Sequence, residues 1–149
     1  MNQKYLISII GPTAIGKTAL SLSLAKHFNT EIISADSRQF YKEMQIGTAA
    51  PSTEERNTVP HHFIHHKSVT EVYNVGAFEK EALVTLQSLF MNHDVVIMVG
   101  GSGLYIDAVT KGLDNFPPVA PEIREKLNHE LATYGLQPLQ DKLKTLDPK

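Results

Sequence analysis

The chain has 149 residues, 42% hydrophobic and 20% charged, which suits one globular domain with a sizeable core rather than a disordered chain. Its 14 Lys and Arg against 16 Asp and Glu give a net charge of -2, without the basic surplus that marks many nucleic-acid binders, although a local basic patch stays open. There is no cysteine, which excludes a disulfide frame and a thiolate metal site, and no N-terminal run long enough for a membrane span or a signal sequence, so a cytoplasmic location without a membrane is expected.

The first element predicted is a strand at about 4–10, the apolar run Tyr5-Leu6-Ile7-Ser8-Ile9-Ile10. Gly11-Pro12-Thr13-Ala14-Ile15-Gly16-Lys17-Thr18 follows and fits the phosphate-loop pattern G-x-x-x-x-G-K-S/T without a mismatch. Apolar residues at helical spacing then predict a helix over about 17–28. A strand, a glycine-bearing turn and a helix N-terminus together make an anion site, because backbone N–H groups and the helix dipole both point into the turn. Lys17 is expected to reach the outer phosphates and the Thr18 hydroxyl to meet a magnesium ion, Mg2+, through the phosphate site.

Glu31-Ile32-Ile33-Ser34-Ala35-Asp36 reads as a buried parallel strand with Asp36 at its carboxyl end. Residues 37–60 show no period and read as a long functional loop. Asn74 or Thr70 caps a predicted helix over 75–92, whose stripe of Phe78, Ala82, Leu86, Leu89 and Phe90 is read as core. Val95–Val99 is a second central strand, ending in Gly100-Gly101-Ser102-Gly103 and followed by a helix at about 103–111. Phe116-Pro117-Pro118 breaks the chain, Pro121 starts a helix to about 133 with Gly135 past its end, and a last helix covers about 138–146.

Alternating strands and helices predict an α/β, three-layer fold with a central parallel sheet flanked by helices, of the phosphate-loop NTPase-like kind. Ligands of such sheets lie beyond the carboxyl ends of the strands, where the phosphate loop, Asp36-Ser37-Arg38-Gln39 and the Gly100–Gly103 turn are expected to converge. The strand at 95–99 ends in glycines where a switch-type NTPase carries a magnesium-holding acid, and Asp94 lies before that strand, so Asp36 remains as general base or metal ligand.

Six segments in order resemble the tRNA dimethylallyltransferases: the phosphate loop, Ser34–Tyr41, Met44–Pro51, Pro60-His61-His62, Val99–Tyr105 and Pro121–Arg124. The resemblance implies transfer of a dimethylallyl group from dimethylallyl diphosphate to the exocyclic amine of the adenosine beside the tRNA anticodon, with release of diphosphate. It implies that the loop from Gly11 to Thr18 cradles dimethylallyl diphosphate, that Asp36, Lys17 and Thr18 are catalytic, and that Asp36, Ser37, Arg38, Gln39, Ser102 and Arg124 meet the tRNA anticodon stem-loop. Ser102 stands where the family usually has Thr. Members are about twice this length, which implies a truncated catalytic core over 1–149, a missing C-terminal part and weakened tRNA binding. A monomer is expected.

Alternatives are an ATP-binding small-molecule or nucleotide kinase, an adenine-nucleotide isopentenyltransferase, and a remnant without catalysis. His61, His62, His65 and His66 form a cluster for which a metal site is weighed against packing around the substrate loop, with packing preferred. Phe40 and Tyr41 are candidates to line a channel, with a core role equally open.

Overall fold

In the computed structural model, which describes residues 3–114 and 119–148, the hydrophobic alternation of the strands decides the layering. Four strands, β1 (Tyr5–Ile10), β2 (Ile32–Ser34), β3 (His61–His62) and β4 (Val95–Gly100), form one sheet in the order β1-β4-β2-β3. Every pairing is parallel, with Tyr5 opposite Val95, Ile32 opposite Ile97 and Ile32 opposite His61. Side chains alternate between faces along a strand. Ile33, Val96 and Met98 therefore enter one core, and Ile32 and Ile97 the other.

Helix α1 (Lys17–Phe28) covers the second face through Ala25, with Leu22 and Leu24 beside it. Helices α3 (Val75–Asn92) and α4 (Gly103–Lys111) cover the first through Phe78, Ala82, Leu89, Ile106 and Val109. The stripe read as core on α3 is core. Asn74, not Thr70, caps α3, its Oδ1 accepting from the Ala77 N–H at 3.0 Å. Thr70 sits instead in the turn that Ser68 and Glu71 close.

The stretch read as irregular holds a short helix, α2 (Thr53–Thr58), and leads into β3. Helix α2 starts on a capping box: Ser52 Oγ accepts from Glu55 N–H, and the Glu55 carboxylate accepts from Ser52 N–H at 2.7 Å. Two satisfied N–H groups give six residues a defined start without any apolar stripe.

The chain forms two compact units, Met1–Leu113 and Asp114–Lys149. The second contains α5 (Pro121–Tyr134), with Pro121 in its first turn, and α6 (Gln137–Leu146), which pack on each other. The expected break at Phe116-Pro117-Pro118 lies outside the described residues. Among the described residues no helix is long and apolar enough to cross a membrane.

Candidate functional site

The site is built where β1, β4 and β2 end. The strand order places β4 between β1 and β2, so the loop after β1 and the acid after β2 lie on either side of the β4 terminus. Gly100 closes that terminus. A Cβ on Gly100 would stand 2.3 Å from the Ala35 carbonyl oxygen, so only glycine permits this approach of two backbones. The Ala35 N–H donates to the Val99 carbonyl at 2.8 Å and extends the β2–β4 pairing up to Asp36.

Between β1 and α1 the backbone turns on two left-handed residues, Ala14 at φ 67° and Gly16 at φ 93°. Gly16 caps α1 without a side chain, so the first N–H groups of the helix have no side-chain cap. Lys17 folds its ammonium back onto the Pro12 carbonyl at 2.6 Å, which holds a positive charge over the loop. Ser21 is buried and donates to the Thr18 carbonyl at 2.9 Å. Pro12, Thr13, Ala14, Ile15 and Gly16 are exposed, and Gly11, Lys17 and Thr18 are partly so, as a loop that receives a ligand requires.

Beyond β2 the chain folds into a tight turn around Asp36. Its Oδ1 accepts from the Arg38 N–H at 3.2 Å, and its carbonyl accepts from the Gln39 N–H at 3.0 Å. Oδ2 points toward Gly101, 3.6 Å from the place a Cβ would take there. Ser102 receives the Ser37 N–H at 3.2 Å, and the two hydroxyls lie 3.3 Å apart. The three strand-end segments therefore meet.

Thr13, Ala14, Gly16, Lys17, Thr18, Asp36, Gln39 and Gly100 line one cavity of about 340 Å³. The rest of its wall is Ala19, Ser21, Ser34, Thr48, Ala49, Pro51, Glu55, His61 and Val99, none of which sequence reasoning named as a site residue. The Ser52–Glu55 spacing carried a signal for α2, whereas nothing local marks a short polar strand such as β3. Arg38 is exposed beside the cavity wall it follows, and Arg124 is exposed on α5 in the second unit.

Phe40 does not line a channel. It is fully buried, stacked on Phe78 at a centroid distance of 5.2 Å and met edge-on by Tyr73 and Tyr105. Tyr41 packs against the same core. The turn at Asp36 points Gln39 at the cavity and drives Phe40 the opposite way.

The four histidines separate. Among the described residues no three His, Asp or Glu side chains are grouped to hold a metal ion. His62 Nε2 pairs with Glu31 at 2.6 Å. His61 has Nδ1 at 2.8 Å from the Val59 carbonyl, which can only accept, so Nδ1 carries the proton and Nε2 is left a buried acceptor without a hydrogen-bond partner. Burial holds His61 below its ordinary value of 6.5 and keeps this neutral form. Burial lowers His66 as well, where the ring is packed edge-on against Phe40, Phe63 and Tyr73. Beside it, Glu81 accepts from Lys67 and from the Tyr73 hydroxyl, each at 2.9 Å. Burial raises Tyr73 strongly, and burial opposes the ionised form of Glu81, but those two hydrogen bonds win and leave Glu81 below its usual carboxylate value.

A family model described as IPP transferase matches residues 39–149. The chain belongs to this family. Across 98% of its length it is 58% identical to a tRNA dimethylallyltransferase of Flavobacterium johnsoniae, covering 47% of that relative. The solved full-length tRNA isopentenylpyrophosphate transferase of Bacillus halodurans matches with a TM-score of 0.73 at 39% identity, over 99% of this chain and 49% of that one. A eukaryotic dimethylallyltransferase, solved acting on tRNA, matches with a TM-score of 0.81 at 28% identity, over 98% of this chain and 36% of that one. The chain thus spans about half the length of the curated relatives it matches. The family match begins at Gln39, so the phosphate loop is carried by the whole-chain relatives. These neighbours place the chain in the phosphate-loop NTPase-like α/β fold expected from its strand and helix order.

Proposed function

We propose that this chain carries the diphosphate-gripping and proton-accepting half of an enzyme that transfers a dimethylallyl group from dimethylallyl diphosphate to N6 of the adenosine beside the tRNA anticodon. The observation that supports this most directly is one cavity lined both by the phosphate loop, with Lys17 and Thr18, and by the Asp36 carboxylate. The relatives named tRNA dimethylallyltransferase supply the substrate classes.

The chemistry assigns each side of the cavity a task. The carbon–oxygen bond of the dimethylallyl ester breaks and its electron pair leaves with the diphosphate. The N6 lone pair forms the new carbon–nitrogen bond, and the amine gives up a proton. An aromatic amine is a weak nucleophile, so a positioned carboxylate is needed to take that proton, and Asp36 fills this role. Charge grows on the departing diphosphate, where the loop N–H groups and Lys17 stabilise it more than in the ground state. Thr18 lines the cavity, and its hydroxyl together with diphosphate oxygens would be the oxygen donors that suit magnesium. Bound there, magnesium supplies added neutralisation of the leaving group. The adenosine has to leave its stack to reach the cavity. Ser37, Arg38, Ser102 and Arg124 are assigned to the RNA in this reading, and a cytoplasmic monomer completes it.

Calorimetric titration of this chain with dimethylallyl diphosphate and, separately, ATP, both with magnesium, tests the proposal. Preference for the isoprenyl diphosphate is expected. Preference for ATP overturns it in favour of phosphoryl transfer.

A further inference from the structure

We propose that Glu81 on α3 is a positioning residue: it latches the segment 65–67 to the helix through Lys67, and that segment holds the exit of the Asp36 turn in place. This deepens the reading above and rests on it for what the turn does.

Each oxygen of the Glu81 carboxylate has its own donor. Lys67 Nζ donates to Oε1 and the Tyr73 hydroxyl to Oε2, each at 2.9 Å. The Lys67 ammonium also lies over the Tyr73 ring, 4.6 Å from its centroid, so the three side chains close on one another. Tyr73 directly precedes the Asn74 cap of α3, which places the group against the first turns of that helix. The Lys67 side chain is 21% exposed, so water screens the pair only in part, and a charge-assisted bond of this kind outweighs a neutral one. None of the three side chains lines the cavity.

The backbone carries the link onward. The His65 N–H donates to the Gln39 carbonyl at 2.8 Å, and the His66 and Lys67 N–H groups donate to the Phe40 carbonyl at 2.8 and 3.0 Å. The Lys67 carbonyl accepts in turn from the Lys42 N–H at 2.9 Å. Glu43 continues the contact, its carboxylate accepting from the Ser68 hydroxyl at 2.7 Å and the Val69 N–H at 3.1 Å. Residues 39–42 are thus laid along 65–67 directly after the turn in which the Arg38 and Gln39 N–H groups donate to Asp36. The holding segment needs a tie of its own. Phe63 at φ 65° and His65 at φ 50° are left-handed against their Cβ atoms. Nε2 of His65 and both ring nitrogens of His66 are buried without a hydrogen-bond partner, so these rings add no polar anchor. Lys67 supplies the anchor by reaching α3. The phosphate loop follows β1, beyond β4 from β2, so the latch acts on the base and not on the diphosphate grip.

Glu81→Leu removes both acceptors. In this chain, hydrogen exchange at the hydrogen-bonded amides of His65, His66, Lys67 and Lys42 should then accelerate about tenfold or more, with the Gln39 amide following them, as the loss of a charged acceptor implies. The Ala35 amide, which donates to the Val99 carbonyl, should stay native. Lys67→Met should accelerate the same amides, and the double variant should fall short of the product of the two single effects, because both cut one link. Native exchange at 65–67, acceleration that stops short of Gln39, acceleration that reaches Ala35, or a full product in the double variant each overturns the proposal. In a protein extended to its relatives' length, Glu81→Leu should lower kcat for prenyl transfer about tenfold and leave KM for dimethylallyl diphosphate near native, since a displaced base slows the chemistry without loosening the grip. Unchanged kcat, or a KM raised about tenfold, overturns the positioning role. If the unmodified extended protein transfers no prenyl group, the proposed function fails and the exchange pattern alone decides on the latch. If Glu81→Leu does not fold, Glu81→Gln keeps the shape and removes the charge; about threefold faster exchange at 65–67 supports the latch and native exchange overturns it.

Discussion

Gly100→Ala is the sharpest perturbation of the site that leaves every functional group in place. The new Cβ would sit 2.3 Å from the Ala35 carbonyl oxygen and 2.5 Å from its carbon, where real Cβ contacts essentially never fall below 3.0 Å. The β2 and β4 backbones must therefore part by about 0.7 Å at the point where Ala35 N–H donates to Val99. A Cβ has no rotamer with which to escape, and both neighbours are backbone. The cost belongs at the upper end of overpacking, about 3 kcal/mol. For a chain of this size that lowers the thermal midpoint by roughly 9 °C. Gly101→Ala is the matched control, since its Cβ meets only ordinary contacts at 3.6 and 3.7 Å. Thermal melts followed by far-ultraviolet circular dichroism measure both, with exchange of the Ala35 amide as the local readout. If Gly100→Ala melts within about 2 °C of Gly101→Ala and Ala35 stays protected, the close approach does not constrain the site and the reasoning is refuted.

Lys17→Ala should weaken dimethylallyl diphosphate binding by this chain about tenfold or more by calorimetry, since a charged donor to a phosphate is lost; unchanged affinity would remove the loop as the phosphate site. Asp36→Ala should leave that affinity near native, and in a protein extended to its relatives' length should cut prenyl transfer about a hundredfold. Burial lowers His61 and His66 below 6.5, so the unfolded chain binds more protons under acid; urea midpoints should hold above pH 6.5 and fall below it, and His66→Phe should reduce that fall. Ser52→Ala breaks the capping box and should cost α2 about 1 kcal/mol, read as faster exchange of the Glu55 amide.

The sequence made α1, α3 and α4 legible to within a residue because each combines a periodic apolar stripe with a start or stop signal, as Asn74 and Gly112 show. Strands β1 and β4 were legible as apolar runs bounded by glycine. Strand β3 was not, since two histidines beside Ile32 and Ile33 gain strand geometry only from pairing with β2. The candidate site was legible where its wall is a local motif: the loop from Gly11 to Thr18, and Asp36 just beyond the end of its strand. It was illegible where a wall is assembled from distant pieces, as with Ser34, Thr48 and Ala49, because no spacing in the chain announces that Gln39 bridges them. Phe40, for which channel and core were equally open in the sequence, shows the same limit beside Gln39. Adjacent residues face opposite ways after a tight turn, and only the turn's hydrogen bonds at Asp36 say which way each goes.

The sheet order suits the proposed reaction, in which a diphosphate grip and a base serve one displacement. Strands lie about 4.8 Å apart, so inserting β4 between β1 and β2 sets the ends of those two strands about 10 Å apart. In the proposed reaction the leaving diphosphate and the amine occupy opposite sides of one carbon, with the base beyond the amine, and that line of atoms needs a span of this order. Adjacent β1 and β2 would halve the span and crowd the phosphate loop against Asp36. The strand in between must then end without side chains that fill the gap. Its terminus is Gly100-Gly101, with Asp36 Oδ2 and the Gly11 carbonyl within 4 Å of the missing Cβ of Gly101 on either side. The glycines that weaken a switch-type NTPase reading of β4 thus leave the room that the proposed group transfer between the two flanking strands requires.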